Sequence, residues 1–158
     1  MRCTTESWGA ARFLIESGAR SDLVAAAGAG RVDLLEPFVV DAQVRDDAHV
    51  LVHYSLIRTR PATSPEILGL ALSLAARNGQ LDAAEWLIDR GADPSARPPF
   101  DHLATPLHWA AMYGHADVSS LLVERGADRA MRDRSFEASP AGWARDGGHA
   151  ALAATLEA

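Results

Sequence analysis

The sequence of 158 residues contains a single cysteine and no lysine. One thiol, that of Cys3, cannot form an internal disulfide or a thiolate zinc site, and its place near the start of the sequence does not indicate a nucleophile. The fifteen basic side chains are all arginines, which we interpret as GC-rich codon usage and not as a functional signal. Disulfide and zinc–thiolate chemistry are therefore excluded.

An excess of positive charge is missing as well, because the formal net charge is -6. Nonspecific nucleic-acid binding and docking on anionic membranes both depend on clustered positive charge, so neither is expected. The longest apolar run, residues 67–76, is about half of the ~20 residues that span a bilayer. Residues 1–10 lack the apolar core of a signal peptide. We expect a cytoplasmic protein.

What is present is the balance of an ordinary globular domain, with 48% hydrophobic and 23% charged residues. The chain also repeats itself. Residues 74–97 align with residues 109–132, which places Gly79 and Gly114 at the same point of two successive units. Further copies occupy residues 23–39 and 139–158, and residues 8–19 match only the second half of a unit.

The best-formed unit begins with a helix signal at Thr105. Threonine is a good N-cap, and Pro106 at the first helical position has no N–H that would be left unsatisfied. Gly114 then ends this helix in a conformation that a side chain would disfavour. The pairs Ser64-Pro65 and Ser139-Pro140 repeat the same start signal. Each unit is therefore expected to begin with a short capped helix.

Apolar residues in this unit recur at helical spacing. Leu107 is followed by Ala110 and Ala111, and the second helix repeats the spacing with Val118 and Leu121. Alanines allow helices to approach closely. A pair of helices this short cannot bury its own apolar face, so it must stack on copies of itself.

Residues 105–110 read TPLHWA, and this motif in a unit of ~33 residues resembles the ankyrin repeat. The resemblance implies an all-α solenoid of stacked helix-turn-helix units, about four repeats with an incomplete first one. We expect a single domain over residues 1–158, with an enlarged loop between the second and third repeats. The expected parts are a partial repeat at 6–20, a repeat at 21–40, an inserted loop at 41–64, and repeats at 65–99, 100–133 and 134–158.

Three histidines of the repeats have a structural interpretation. The resemblance implies that His108 hydrogen-bonds within and between repeats, and His115 and His149 follow the glycine of their units. No Ser/His/Asp or Cys/His arrangement at catalytic spacing accompanies them. We therefore expect no catalytic residue, no metal site and no cofactor.

The chain departs from the regular pattern at both ends of its second unit. Residues 8–17 look like a second helix without a first, so either the natural start lies upstream or this end packs on another chain, including a second copy. The next connection is so short that Ser21 or Asp22 must cap the following helix. Later in that unit, Pro37 should strain the second helix.

The insertion at 41–64 carries the only other candidate chemistry. Its middle is β-branched and partly alternating, which favours an extended segment or a long finger. His49 and His53 lie four residues apart, but two histidines without a third ligand are a weak metal signal. The alternative function is a small-molecule binder or enzyme whose insertion folds over the concave face. Its candidate site residues are His49, His53, Tyr54, Arg58 and Trp109.

The favoured function is a non-catalytic module that binds another protein. Ankyrin-repeat proteins, which this chain resembles, bind with finger loops and with the concave face of the first helices. Exposed aromatic, methionine and arginine side chains are typical of such contacts. Trp109 and Trp143 are expected mainly in packing between repeats. The candidate partner-binding residues are Arg77, Asn78, Arg97, Phe100, Asp101, His102, Met112, Tyr113, Arg132, Arg134 and Phe136.

Overall fold

A computed structural model describes residues 22–41, 43–45, 63–98 and 103–158. These residues form an all-α solenoid, as the sequence predicts. The expected partial repeat at 6–20, its packing on another chain, and the extended middle of the insertion lie outside the described residues.

Six of the described α-helices form three pairs, each with a first helix, a turn and a second helix, and the remaining one, Leu23–Gly28, is a first helix without an α-helical partner of its own unit. The first helices are α1 (Leu23–Gly28), α2 (Ser64–Arg77), α4 (Pro106–Met112) and α6 (Pro140–Asp146), and the second helices are α3 (Leu81–Asp89), α5 (Ala116–Glu124) and α7 (Ala150–Glu157). After α1 the chain forms two short 3-10 helices, Val32–Leu34 and Glu36–Phe38, and an antiparallel hairpin of β1 (Val39–Val40) and β2 (Gln43–Val44).

The first helices form one continuous layer. Helix α2 packs on α1, α4 packs on α2, and α6 packs on α4, while α3 packs on α5 in the second layer. The core between the layers consists of leucines such as Leu72 and Leu107, which have no exposed surface, and of alanines such as Ala75 and Ala110. Because alanine side chains are small, neighbouring helices approach closely along the whole stack.

Predicted caps are observed at three of the four first helices. Thr105 and Ser139 cap α4 and α6, and a carboxylate oxygen of Asp22 accepts a 2.7 Å hydrogen bond from the amide of Ala25 in α1. The prediction for Ser64 was wrong. This residue is already helical, and Thr63 precedes α2 as its cap.

Ser64 has a different role, which the sequence pattern did not indicate. Its hydroxyl oxygen accepts a 3.0 Å hydrogen bond from the amide of Val44 in β2. The capping task passes to Thr63, whose amide donates to the carboxylate of Glu66 at 2.8 Å. The start of α2 therefore also fixes the hairpin that precedes the insertion.

A glycine in the left-handed region ends each first helix. Gly114, for example, has φ +74°, and the amide of the following residue, His115, donates to the carbonyl of Ala110 at 2.9 Å. This bond satisfies a carbonyl that the end of the helix would otherwise leave unpaired. Among the described residues, no helix is long and apolar enough to cross a membrane.

Candidate functional site

In the last three units, the final residue of the first helix lies at the same point of the repeat. These residues are Arg77 in α2, Met112 in α4 and Asp146 in α6, and we call them the first-helix row. Arg77 and Met112 are half-buried, whereas Asp146 is exposed. Tyr113, which follows Met112, is 39% exposed. The repeat thus places a cation, an apolar group and an anion in line.

Aromatic rings of the next unit hold the guanidinium of Arg77. It lies 4.8 Å from the ring centre of Trp109 and 5.6 Å from that of Tyr113, and it donates a 3.3 Å hydrogen bond to the Tyr113 hydroxyl. Such cation–π contacts favour one orientation of a long, flexible side chain. The sequence predicted Arg77 and Tyr113 as separate contact residues but did not indicate that they touch.

Packed aromatic rings lead from Trp109 to the fingertip, which is the loop of residues 125–139 between α5 and α6. The ring of Trp109 meets that of Trp143 edge-on at 5.0 Å, and Phe136 lies 6.3 Å from Trp143. Trp143 is buried, Trp109 is half-buried, and Phe136 is 67% exposed. The first-helix row and the fingertip are therefore joined by packed aromatic side chains.

Asp133 organises this fingertip, and sequence reasoning missed it. Its buried carboxylate accepts hydrogen bonds from three backbone amides and, at 3.0 Å, from the indole N–H of Trp143. Burial alone would raise the pKa of Asp133, but these bonds, led by that from the Phe136 amide, bring the pKa below its ordinary value. In the sequence Asp133 is one of several aspartates among arginines, so nothing marked it.

The predicted fingertip arginines differ in what they contact. Arg97 donates to the carbonyl of Leu103 at 3.1 Å and to that of Arg132 at 3.2 Å, and Arg132 donates to the carbonyl of Glu137 at 2.6 Å. The guanidinium of Arg97 therefore joins two successive fingers, whereas that of Arg132 bonds within its own finger. Arg134 is exposed.

The sequence profile of ankyrin repeats in three copies matches residues 7–133, most of the chain. The chain belongs to the ankyrin-repeat family. A comparison with curated protein sequences found no match. Ankyrin repeats are generally protein–protein interaction modules and are typically non-catalytic.

The ankyrin-repeat histidine His108 has the structural contacts that the sequence predicted. Its Nδ1 lies 2.8 Å from the Thr105 hydroxyl oxygen, and its Nε2 lies 3.0 Å from the carbonyl oxygen of Ala138 in the next unit. Because a carbonyl can only accept, Nε2 carries the proton and Nδ1 accepts. Burial is the main cause that lowers the pKa of His108. The neutral ring therefore matches both of its partners.

Two other polar side chains of the turns also join neighbouring ankyrin repeats. The Nε2 of His115 lies 3.0 Å from the carbonyl oxygen of Arg77. The side-chain amide of Asn78 donates a 2.8 Å hydrogen bond to the carbonyl of Gly28. The side chain of Asn78, a predicted contact residue, is thus engaged in packing between repeats.

Seven predicted site residues lie outside the described part of the chain. They are Phe100, Asp101 and His102 of the preceding finger and His49, His53, Tyr54 and Arg58 of the insertion. Two grooves, of about 210 and about 200 Å³, lie elsewhere in this ankyrin-repeat domain, beside Leu152 and beside Gly69. Within the described ranges, no group of three side chains could hold a metal ion.

Proposed function

We propose that this protein is a non-catalytic module that binds a partner protein through its first-helix row and its fingertips. One observation carries the proposal: Tyr113 and Phe136 are large and exposed, and they are linked into one packed surface through Arg77, Trp109 and Trp143. Aromatic side chains on a rigid support are the usual anchors of protein interfaces, because binding costs them little conformational entropy.

The support beneath this surface is rigid for identifiable reasons. Asp133 fixes the fingertip through four hydrogen bonds. Arg97 joins that finger to the preceding one. The exposed Arg134 adds positive charge beside Phe136. A partner would thus meet a surface that is already ordered, with Met112 and Tyr113 at one end and Phe136 at the other.

The test is affinity capture from the native lysate with the wild type and with the variant Tyr113→Ala/Arg134→Glu. Both substituted residues are exposed, so the variant should fold normally, and far-UV circular dichroism checks this. Ala154→Glu, an exposed change in α7, is the matched control for added negative charge. Bound proteins and extracted small molecules are both identified by mass spectrometry.

We expect a protein that the wild type and Ala154→Glu retain and that the double variant loses. Equal retention by all three would contradict the assignment of this surface. Recovery of a metabolite without a protein would instead favour the alternative site in the insertion, and His53 and Arg58 would be the next residues to substitute.

A further inference from the structure

The charge of the first-helix row changes sign along the stack. Arg77, Met112 and Asp146 each end a first helix, so the row presents a cation, an apolar group and an anion on consecutive units. This order is a property of the row itself, and it restricts which partner can lie across it.

Among the described residues, the guanidinium of Arg77 has aromatic partners and no carboxylate partner, as has that of Arg90, which lies 3.8 Å from the ring centre of Trp86. Arg31, Arg125 and Arg145 each form an ion pair with a neighbouring carboxylate. No carboxylate in the described part of the chain forms an ion pair with Arg77, whose guanidinium instead rests against Trp109 and Tyr113. A fixed cation without a carboxylate is suited to receive one from outside.

Asp146 stands at a position that its own helix makes unfavourable. The carbonyl groups at the C-terminal end of a helix carry partial negative charge, which favours a basic side chain there and disfavours an acidic one. Arg77 fits this preference at the end of α2, whereas Asp146 opposes it at the end of α6. Its exposed carboxylate makes no hydrogen bond or ion pair with any described residue. The exposed carboxylate is therefore available to a basic group of the partner.

We infer that the first-helix row binds an extended segment of the partner that carries an acidic residue, then an apolar one, then a basic one. The acidic group pairs with Arg77, the apolar side chain packs on Met112 and Tyr113, and the basic group pairs with Asp146. Adjacent helices pack about 8–10 Å apart, so the ends of α2 and α6, two spacings apart, are separated by about 16–20 Å. An extended chain rises ~3.3 Å per residue, so the two charges of the segment are about five to six positions apart. This inference rests on the proposed function and specifies the chemistry of the partner.

The test is selection from a library of random peptides displayed on phage, with the wild type and three variants as bait. Arg77→Gln removes the cation, and Arg77→Glu/Asp146→Arg exchanges the two charges. Ala154→Glu is the control away from the row. Circular dichroism checks that each variant folds, because all the substituted side chains are half-buried or exposed.

We expect the wild type and the control to select peptides with the order acidic, apolar, basic. Arg77→Gln should bind a selected peptide about tenfold more weakly in fluorescence anisotropy, since a charge-assisted hydrogen bond is lost. The exchanged variant should select the opposite order, which a merely structural role of Arg77 would not produce.

Four results would overturn the inference. The first-helix row would not recognise charge if the selected peptides have no preferred order of acidic and basic residues. The same would follow if Arg77→Gln binds the selected peptides as well as the wild type does. If such peptides still lose affinity for Tyr113→Ala/Arg134→Glu, the proposed function stands without the inference. A dimer in solution that Arg77→Gln dissociates would make a second copy the occupant. Failure to select any peptide overturns the inference and leaves the proposed function to the capture experiment.

Discussion

The unit around Thr105 and the unit around Asp22 end their first helices identically but continue differently. In both, a left-handed glycine is followed by an amide that bonds back to a helical carbonyl, from Arg31 to Ala26 at 3.0 Å and from His115 to Ala110 at 2.9 Å. The later unit then forms the nine-residue α5, whereas the earlier one forms only two 3-10 helices. The first helix and its turn therefore form in both units, whereas a second α-helix forms only in the later one.

Proline explains the difference between these two units. Pro37 lies in the second 3-10 helix, where a regular unit would continue its α-helix. Because proline has no N–H and its ring collides with the preceding turn, an α-helix cannot run through this position. The segment around Pro37 therefore forms two separate 3-10 turns in place of an α-helix. The fully buried Leu35 packs this segment against the rest of the stack.

A proline introduced into the second helix of the regular unit should disrupt that helix. Ser120→Pro places proline at an exposed position in the middle of α5 and should lower the free energy of unfolding by about 3 kcal/mol or more. Pro37→Ala should change it by about 1 kcal/mol or less, because the 3-10 turns already accommodate position 37. Urea unfolding followed by circular dichroism measures both. Equal effects of the two changes would refute this account.

Acid should weaken the regular half through two groups that the earlier unit lacks. The folded-state pKa of His108 lies below its ordinary 6.5 and that of Asp133 below its ordinary 3.8. For each group, the stabilisation is complete above the unfolded-state pKa and is lost as the pH falls towards the folded-state pKa. The free energy of unfolding should therefore fall first below about pH 6.5 and again below about pH 4.

Substitution of Asp133 separates these two phases. Asp133→Asn should cost about 1–3 kcal/mol at neutral pH, because an amide cannot accept all four hydrogen bonds of the carboxylate. It should also abolish the loss of stability below about pH 4 that Asp133 causes, while the phase near pH 6 remains. Urea unfolding at a series of pH values gives both results. If Asp133→Asn loses as much stability below about pH 4 as the wild type does, other carboxylates cause that loss.

The smallest expected effect compares the glycine turns of the two units. Gly30 and Gly114 have φ values of +70° and +74°, so alanine should cost about 1–2 kcal/mol at either position through the backbone alone. A new Cβ at Gly114 would meet the ring of His149 at 2.4 Å, whereas at Gly30 it would meet the end of the flexible Gln80 side chain at 2.2 Å. Gly114→Ala should therefore be the more destabilising change.

A third glycine calibrates that comparison. Gly126 has φ +94°, and a Cβ there would meet nothing within 4 Å, so Gly126→Ala reports the backbone cost alone. Thermal unfolding of the three variants gives the order. If Gly114→Ala and Gly126→Ala have equal midpoints, the packing of His149 on the preceding turn contributes nothing measurable.

The sequence by itself determined the repeat and the caps at Thr105 and Ser139, and it left Ser21 and Asp22 as alternatives for the first cap. The resemblance to ankyrin repeats added the all-α solenoid and the role of His108. These features depend on contacts within a few residues or on the fixed offset between units, and both are visible as spacing. The resemblance also marked Arg77 and Tyr113 as contact residues, which stays a prediction.

Tertiary structure alone decided what those side chains contact. The four donors around Asp133 lie within ten residues of it, and the conformation of the finger loop brings them together. The contact of Arg77 with the rings of the next unit and the hydrogen bond from the Val44 amide to Ser64 join different elements of the fold. Such contacts depend on the angle and distance between packed helices, which side-chain packing sets throughout the stack. The order of charge along the first-helix row, in contrast, follows from the fixed offset between the units.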